Sequence, residues 1–162
     1  MYKQICEEIV AILKDANWSE PIMDIHLPQR AKFEKYLQSA LACRLKKIYS
    51  DTIIEYPIGG KLIDLYSNNT CIELKTPTTN YKISGITNKT RPITKNIASI
   101  IEDIQKLRVL SVKNGVVAFV LFPIDINKKN YLYYVNKIIT ALGHKNYCQS
   151  VINNMLVFSC KI

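Results

Sequence analysis

The chain has 162 residues, of which 48% are hydrophobic and 22% are charged, with a net charge of +9; this balance fits a single globular domain, residues 1–162, with a polyanionic partner. Its longest apolar run, Val116 to Phe122, is far below the roughly 18 residues that span a bilayer, and its acidic first segment is unlike a secretory signal, so we expect a cytoplasmic protein with no membrane partner. Five scattered cysteines and two histidines, without Cys-x-x-Cys spacing, argue against a zinc knuckle, a thiol redox motif or a histidine-rich metal site.

Two helices are predicted in the first third of the chain. Residues 2–16 have apolar residues near helical spacing, and residues 29–48 carry a clearer apolar stripe. Residues 18–28 contain two prolines and no clear period, which indicates a connection. The stripe of the second helix consists of Leu37, Leu41, Leu45 and Ile48, supported by Phe33.

Three short strands are predicted next, at residues 52–58, 61–66 and 71–76. Gly59-Gly60 separates the first two, and the turn 67–70 separates the second from the third. Glycine and asparagine suit the positive φ that tight hairpins need. The last two strands should therefore form a hairpin with Asn68-Asn69 as its loop.

The remaining elements alternate between helix and strand. A polar loop at 78–95 precedes a helix at 96–113, a strand at 116–123, a helix at 130–142 and a last strand at 155–160. The continuous apolar character of 116–123 is typical of a strand buried on both faces, and the helix before it predicts a parallel pairing with strand 71–76. The order ααβββαβαβ predicts an α/β fold, a mixed sheet flanked by helices.

Two acids and a lysine gather on one face of the predicted hairpin. Its register places Asp64 directly opposite Glu73, and the period of two places Lys75 on the same face as Glu73. Four apolar residues should point the other way, into the core: Ile63, Leu65, Ile72 and Leu74.

Opposed carboxylates repel unless a positive charge lies between them. Mg²⁺ suits this arrangement because it prefers a few carboxylate oxygens together with water and phosphate oxygens. Such an ion can polarise a phosphoryl group and hold an attacking water, which Lys75 could orient or deprotonate. The alternative is a cross-strand salt bridge on a solvated face, in which Lys75 and another base neutralise Asp64 and Glu73.

The stretch Gly59 to Asp64, eight intervening residues and then Glu73-Leu74-Lys75 resembles the signature of the PD-(D/E)XK nuclease superfamily. The core of that superfamily is a helix, three antiparallel strands, a helix and a further strand. The likeness covers roughly residues 30–123 in the order of elements but only three residues as a motif. The proline that usually precedes the first acid is replaced here by Ile63.

The resemblance implies a restriction-endonuclease-like core with a metal site. Asp64, Glu73 and the backbone carbonyl of Leu74 would bind Mg²⁺, for which Mn²⁺ can substitute, and Lys75 would be the catalytic lysine. Glu34 is a further candidate, because it lies in the apolar stripe of the second helix and an acid there needs a partner or an ion. Several members of the superfamily have a glutamate on this helix near the metal, which implies the same catalytic and metal-binding role. The alternative for Glu34 is an i,i+4 salt bridge to Arg30.

The loop 78–95 contains no acid and lies next to the motif strand, which favours contact with nucleic acid. Its basic residues are Lys82, Lys89, Arg91 and Lys95. Gln105, Lys106 and Arg108 on the following helix are weaker candidates.

Together these features predict a Mg²⁺-dependent endodeoxyribonuclease of the type II restriction kind. A chain with one site that cuts both strands of DNA calls for a homodimer. The alternatives are a junction-resolving or repair nuclease, a non-catalytic nucleic-acid-binding module with the same fold, and a structural domain whose hairpin carries only salt bridges.

Overall fold

The computed structural model describes residues 1–15, 30–79, 92–143 and 146–162, without the side chains of residues 30–32. These ranges contain four helices and six strands in a mixed α/β arrangement. In chain order the elements are α1 (Tyr2–Asp15), α2 (Arg30–Lys46), β1 (Ile53–Ile58), β2 (Lys61–Ser67), β3 (Thr70–Lys75), α3 (Ile93–Val109), β4 (Gly115–Leu121), α4 (Tyr131–Leu142), β5 (Tyr147–Ile152) and β6 (Met155–Lys161).

The six strands form one mixed sheet in the order β1-β2-β3-β4-β6-β5. β1, β2 and β3 make an antiparallel meander, and β4 lies parallel to β3, as the helix between them predicted. β6 pairs antiparallel with both β4 and β5. All seven residues of β4 are buried, which agrees with the continuous apolar run that predicted a central strand.

The helices cover the two faces of this sheet, and each face has its own apolar core. α1 and α2 pack on one face, against Leu65, Ile72 and Leu74 among others. α3 and α4 pack on the other face, against the alternate residues of β4 and β6. The predicted apolar stripes are buried, with one exception: Ile48 lies beyond the end of α2 and is 54% exposed. None of the described helices has the length and apolar character needed to cross a bilayer.

Three two-residue turns join the antiparallel strands, and both residues of each turn have positive φ. The turns are Gly59-Gly60, Asn68-Asn69 and Asn153-Asn154. The backbone N–H groups of Asn68 and Asn69 also donate to the Asp51 carboxylate at 2.8 and 3.1 Å. The predicted β2–β3 hairpin is therefore confirmed, whereas the third turn belongs to a β5–β6 hairpin that the predicted element order lacked.

Two predicted boundaries near α3 were wrong. The helix begins at Ile93 and not at Asn96, because the Pro92 carbonyl accepts the N–H groups of Lys95 and Asn96 and starts the first turn there. It ends at Val109, ahead of the predicted Lys113, and Ser111 just beyond it has a φ of +49°. Of the predicted loop 78–95, residues 80–91 lie outside the described part of the chain.

Candidate active site

Asp64 lies where the ladder between β2 and β3 stops. Backbone pairing follows the predicted register from Ser67↔Thr70 to Leu65↔Ile72 and ends there. Beyond it, a side chain links the strands, because Oδ2 of Asp64 accepts the backbone N–H of Leu74 at 2.8 Å. The buried Gln38 on α2 donates its Nε2 to the Asp64 backbone carbonyl at 2.6 Å. Asp64 is thus fixed by β3 and by α2.

The alternation of side chains along β2 breaks at this residue. Leu65 packs with the α1–α2 core as predicted, but Ile63 packs with the α3–α4 core, so its predicted orientation was wrong. On the other side of β2, Glu55 has a φ of +54° and its pairing with Asp64 is missing from the β1–β2 ladder. Because β2 is unpaired on both sides at Asp64, the strand can turn there.

Glu73 is buried on the α3 side of β3, with a side chain only 2% exposed. Its Oε1 lies 2.5 Å from Nζ of Lys106, a residue of α3. Burial raises the pKa of Glu73 to about 7; the hydrogen bond from Lys106 opposes the rise, and the charges of Asp64 and Asp103 add to it. Burial therefore disfavours the charged form of Glu73, and the hydrogen bond from Lys106 partly offsets this effect.

Lys75 lies between two carboxylates that come from opposite layers of the fold. Its Nζ is 3.4 Å from Oδ2 of Asp103 on α3 and 4.0 Å from Oε1 of Glu34 on α2. Burial alone would lower the pKa of Lys75, but the nearby carboxylates, Asp103 first and then Glu34, outweigh it and raise that pKa. The ammonium therefore stays charged at neutral pH.

Glu34 extends from α2 toward Lys75 and the end of β3. Its Oε2 accepts the backbone N–H of Thr76 at 3.1 Å, immediately after Lys75 in the chain. The carboxylate is thus anchored to the end of β3 and also faces the Lys75 ammonium. The alternative partner, Arg30, has a side chain outside the described part, so the predicted i,i+4 pair stays untested.

The predicted site lacked Asp103, and Lys106 was predicted only as a weak nucleic-acid contact. Asp103 is 9% exposed, and its Oδ2 has no hydrogen-bond partner among the described residues, with Lys75 near it only as an ion pair. Both Asp103 and Asn96 lie on the buried face of α3, amid an apolar stripe. The argument that singled out Glu34, an acid on an apolar stripe, applies equally to Asp103 and would have found it. We call the set Glu34, Asp64, Glu73, Lys75, Asp103 and Lys106 the carboxylate–lysine cluster.

The donor set of this cluster fits Mg²⁺ better than a metal that needs many protein ligands. Within the described ranges, no group of three or more His, Cys, Asp or Glu side chains is spaced to hold a metal ion. Mg²⁺ is commonly held by one or two carboxylates together with waters and substrate phosphates, and Asp64 and Glu73 are the two carboxylates predicted for that role. The Leu74 side chain is fully buried in the α1–α2 core and its N–H donates to Asp64; the metal-binding role of its carbonyl stays a prediction.

Of the four predicted phosphate contacts, only Lys95 falls in the described part of the chain. Lys82, Lys89 and Arg91 lie outside it. Lys95 is exposed in the first turn of α3, not in a loop. Eight residues separate it from Asp103, which corresponds to about 12 Å along a helix axis. The same helix therefore presents a solvent-exposed base and two members of the cluster.

Comparison with known proteins gave no match for this chain, whether with family models, curated proteins or solved structures.

Proposed function

We propose that this protein is a Mg²⁺-dependent endodeoxyribonuclease with a restriction-endonuclease-like core, whose reaction centre is Asp64, Glu73 and Lys75. One observation carries the proposal. Asp64 and Glu73 come from adjacent strands where the backbone ladder opens, and Lys75, two residues along the second strand, is held in its charged form by Asp103 and Glu34. The charge of Asp64 is near enough to raise the pKa of Glu73.

The order of elements around the cluster supports the same conclusion. α2, the β1–β2–β3 meander, α3 and a β4 parallel to β3 follow one another as in the core of PD-(D/E)XK nucleases. Glu34 on α2 accepts a hydrogen bond from the end of β3, and several members of that superfamily have a glutamate on this helix near the metal.

In this proposal Asp64 and Glu73 hold the cation, with Glu34 as a further candidate. When bound, Mg²⁺ polarises the phosphoryl group and orients an attacking water. Lys75 stabilises negative charge that develops on the phosphate, because Asp103 and Glu34 keep its ammonium protonated. A lysine held in this state is poorly suited to remove a proton from water, so we assign it electrostatic stabilisation and orientation. Asp103 is a positioning residue that acts through Lys75.

A second candidate function follows from the ion pairs of the cluster. Glu73 is paired with Lys106, and Asp103 with Lys75, so lysines already neutralise both buried acids without a metal ion. A non-catalytic nucleic-acid-binding module with this fold would have such a network. It predicts DNA binding that does not depend on divalent ions and leads to no cleavage.

The test is incubation of the purified chain with supercoiled plasmid, linear duplex and a four-way junction, with Mg²⁺, Mn²⁺ or EDTA. We expect DNA cleavage that requires a divalent ion and disappears in Asp64→Asn. Linear plasmid with defined ends would indicate restriction-like cutting by a homodimer, whereas symmetric incisions in the junction alone would indicate a resolving enzyme. Binding without cleavage under every condition would favour the second candidate, and the absence of both would overturn the two together.

A further inference from the structure

Lys106 bridges the two strands of the candidate site at the point where their ladder is open. Its Nζ lies 2.5 Å from Oε1 of Glu73 on β3 and 2.8 Å from the backbone carbonyl of Leu62 on β2. Both contacts are charge-assisted hydrogen bonds, which are among the stronger ones in proteins. The Lys106 ammonium thus occupies the Glu73 carboxylate, which the proposed metal ion would also need.

The ionised form of Glu73 requires a cation whether or not a metal is bound. Its side chain is 2% exposed, so an unpaired negative charge there would be strongly disfavoured. Lys75 is engaged by Asp103 and Glu34, and the other charged groups near Glu73 are the acids Asp64 and Asp103. Lys106 is therefore the cation among the described residues that contacts Glu73.

Lys106 on Oε1 of Glu73 opposes the binding of a divalent ion to the same carboxylate. Two positive charges held a few ångströms apart in a poorly solvated site repel strongly. The Lys106 side chain is 22% exposed and reaches the site on a flexible stem from α3. It can therefore withdraw toward water without any change in the backbone.

We propose that Lys106 is an internal competitor for the divalent ion: it neutralises Glu73 in the metal-free protein and must leave that carboxylate when the ion binds. The proposal rests on the proposed function, because it presupposes a divalent ion at Asp64 and Glu73. It makes Lys106 the residue that sets the ion concentration at which the site fills. No phosphate contact needs to be assigned to it for this role.

The first test is calorimetric titration of Mg²⁺ alone into the full chain, in alkaline buffer where protons compete little for Glu73. Lys106→Met keeps the apolar stem and removes the ammonium, so the dissociation constant for Mg²⁺ should fall about tenfold, the factor expected when one charge-assisted hydrogen bond no longer opposes binding. The matched control is Lys113→Met, at the exposed turn before β4 and at the far end of the β3–β4 ladder from Lys75. It removes the same unit of charge and should change binding less than about twofold, because charges beyond a Debye length are screened.

The second test uses the wild-type protein, so that it holds even if Lys106→Met does not fold. In a sample with ¹⁵N-labelled lysine, the Lys106 ammonium resonance, assigned as the one missing from Lys106→Arg, should move to the position of a solvated lysine as Mg²⁺ is added. A Lys106 resonance unchanged at saturating Mg²⁺ would overturn the proposal, as would a Lys106→Met variant that folds and binds Mg²⁺ no more tightly than wild type. In both of those results the wild-type protein still binds the ion, so the proposed function stands; a wild-type chain that binds no divalent ion would overturn the function as well.

Discussion

Replacing Glu73 with glutamine should make the metal-free protein more stable above neutral pH. The folded state raises the pKa of Glu73 from an ordinary 4.5 to about 7, mainly by burial. At about 1.4 kcal/mol for each pKa unit, the ionised form of this side chain destabilises the fold by about 3 kcal/mol. The rise already includes the opposing hydrogen bond from Lys106, so it is the net effect of the site.

The sign follows from which state binds the proton more tightly. Because the folded-state pKa is the higher one, the contribution of Glu73 to stability is fully present below 4.5 and is lost as pH rises to about 7. Glutamine resembles the protonated acid at every pH. The free energy of unfolding of Glu73→Gln should therefore equal that of wild type below pH 4.5 and exceed it by about 3 kcal/mol at about pH 8.

Urea unfolding of both proteins in EDTA, followed by circular dichroism across this pH range, measures the difference directly. The control is Glu102→Gln, an exposed position on α3, for which we expect only a small difference from wild type. A Glu73→Gln variant no more stable than wild type at about pH 8 would refute the claim that the ionised side chain is held in the fold at a net cost. The same variant should have lost cleavage activity, as expected when a functional site is kept at the expense of stability.

Three further predictions concern the roles of single residues. Asp64→Ala and Lys75→Ala should each abolish Mg²⁺-dependent cleavage while circular dichroism shows an intact fold. If either variant cuts at the wild-type rate, the role assigned to the replaced residue is wrong. In Glu34→Gln the amide oxygen can still accept the Thr76 N–H, so the fold should persist while the Mg²⁺ midpoint of cleavage rises and DNA affinity does not change; an unchanged midpoint would leave Glu34 as a positioning residue for Lys75. Lys95→Gln should weaken DNA binding similarly for all sequences and reduce the salt slope of the binding constant by about 1, and an unaltered slope would remove Lys95 from the interface.

Local patterns in the sequence predicted the framework of the site correctly. Asn68-Asn69 suited the positive φ of a two-residue turn, and that turn fixed the β2–β3 register up to Leu65↔Ile72. A continuous apolar run preceded by a helix predicted a buried β4 parallel to β3. Both predictions depend on short-range geometry and on burial, which the residue pattern encodes directly.

The parts that were missed depend on contacts between distant elements. β5 is an edge strand that alternates between exposed and partly buried residues, so it lacks the apolar run that marked β4, although Asn153-Asn154 carried the hairpin signal. The reversed orientation of Ile63 arises next to Asp64, the residue at which β2 lacks backbone pairing with both β1 and β3. The ion pairs of Asp103 and Lys106 form because α3 packs across the end of β3. The spacing of residues along the chain does not predict which side chains of α3 and β3 lie within contact distance.

The most direct test of the central claim is plasmid conversion by wild type, Lys75→Met and Lys113→Met, first in EDTA and then after excess Mg²⁺ is added to the same tubes. The account predicts that wild type and Lys113→Met leave supercoiled DNA intact in EDTA and cut it once Mg²⁺ is present, whereas Lys75→Met binds the DNA and does not cut. Cleavage by wild type in EDTA, or equal cleavage by Lys75→Met with Mg²⁺, would contradict a divalent-ion site built on Asp64, Glu73 and Lys75.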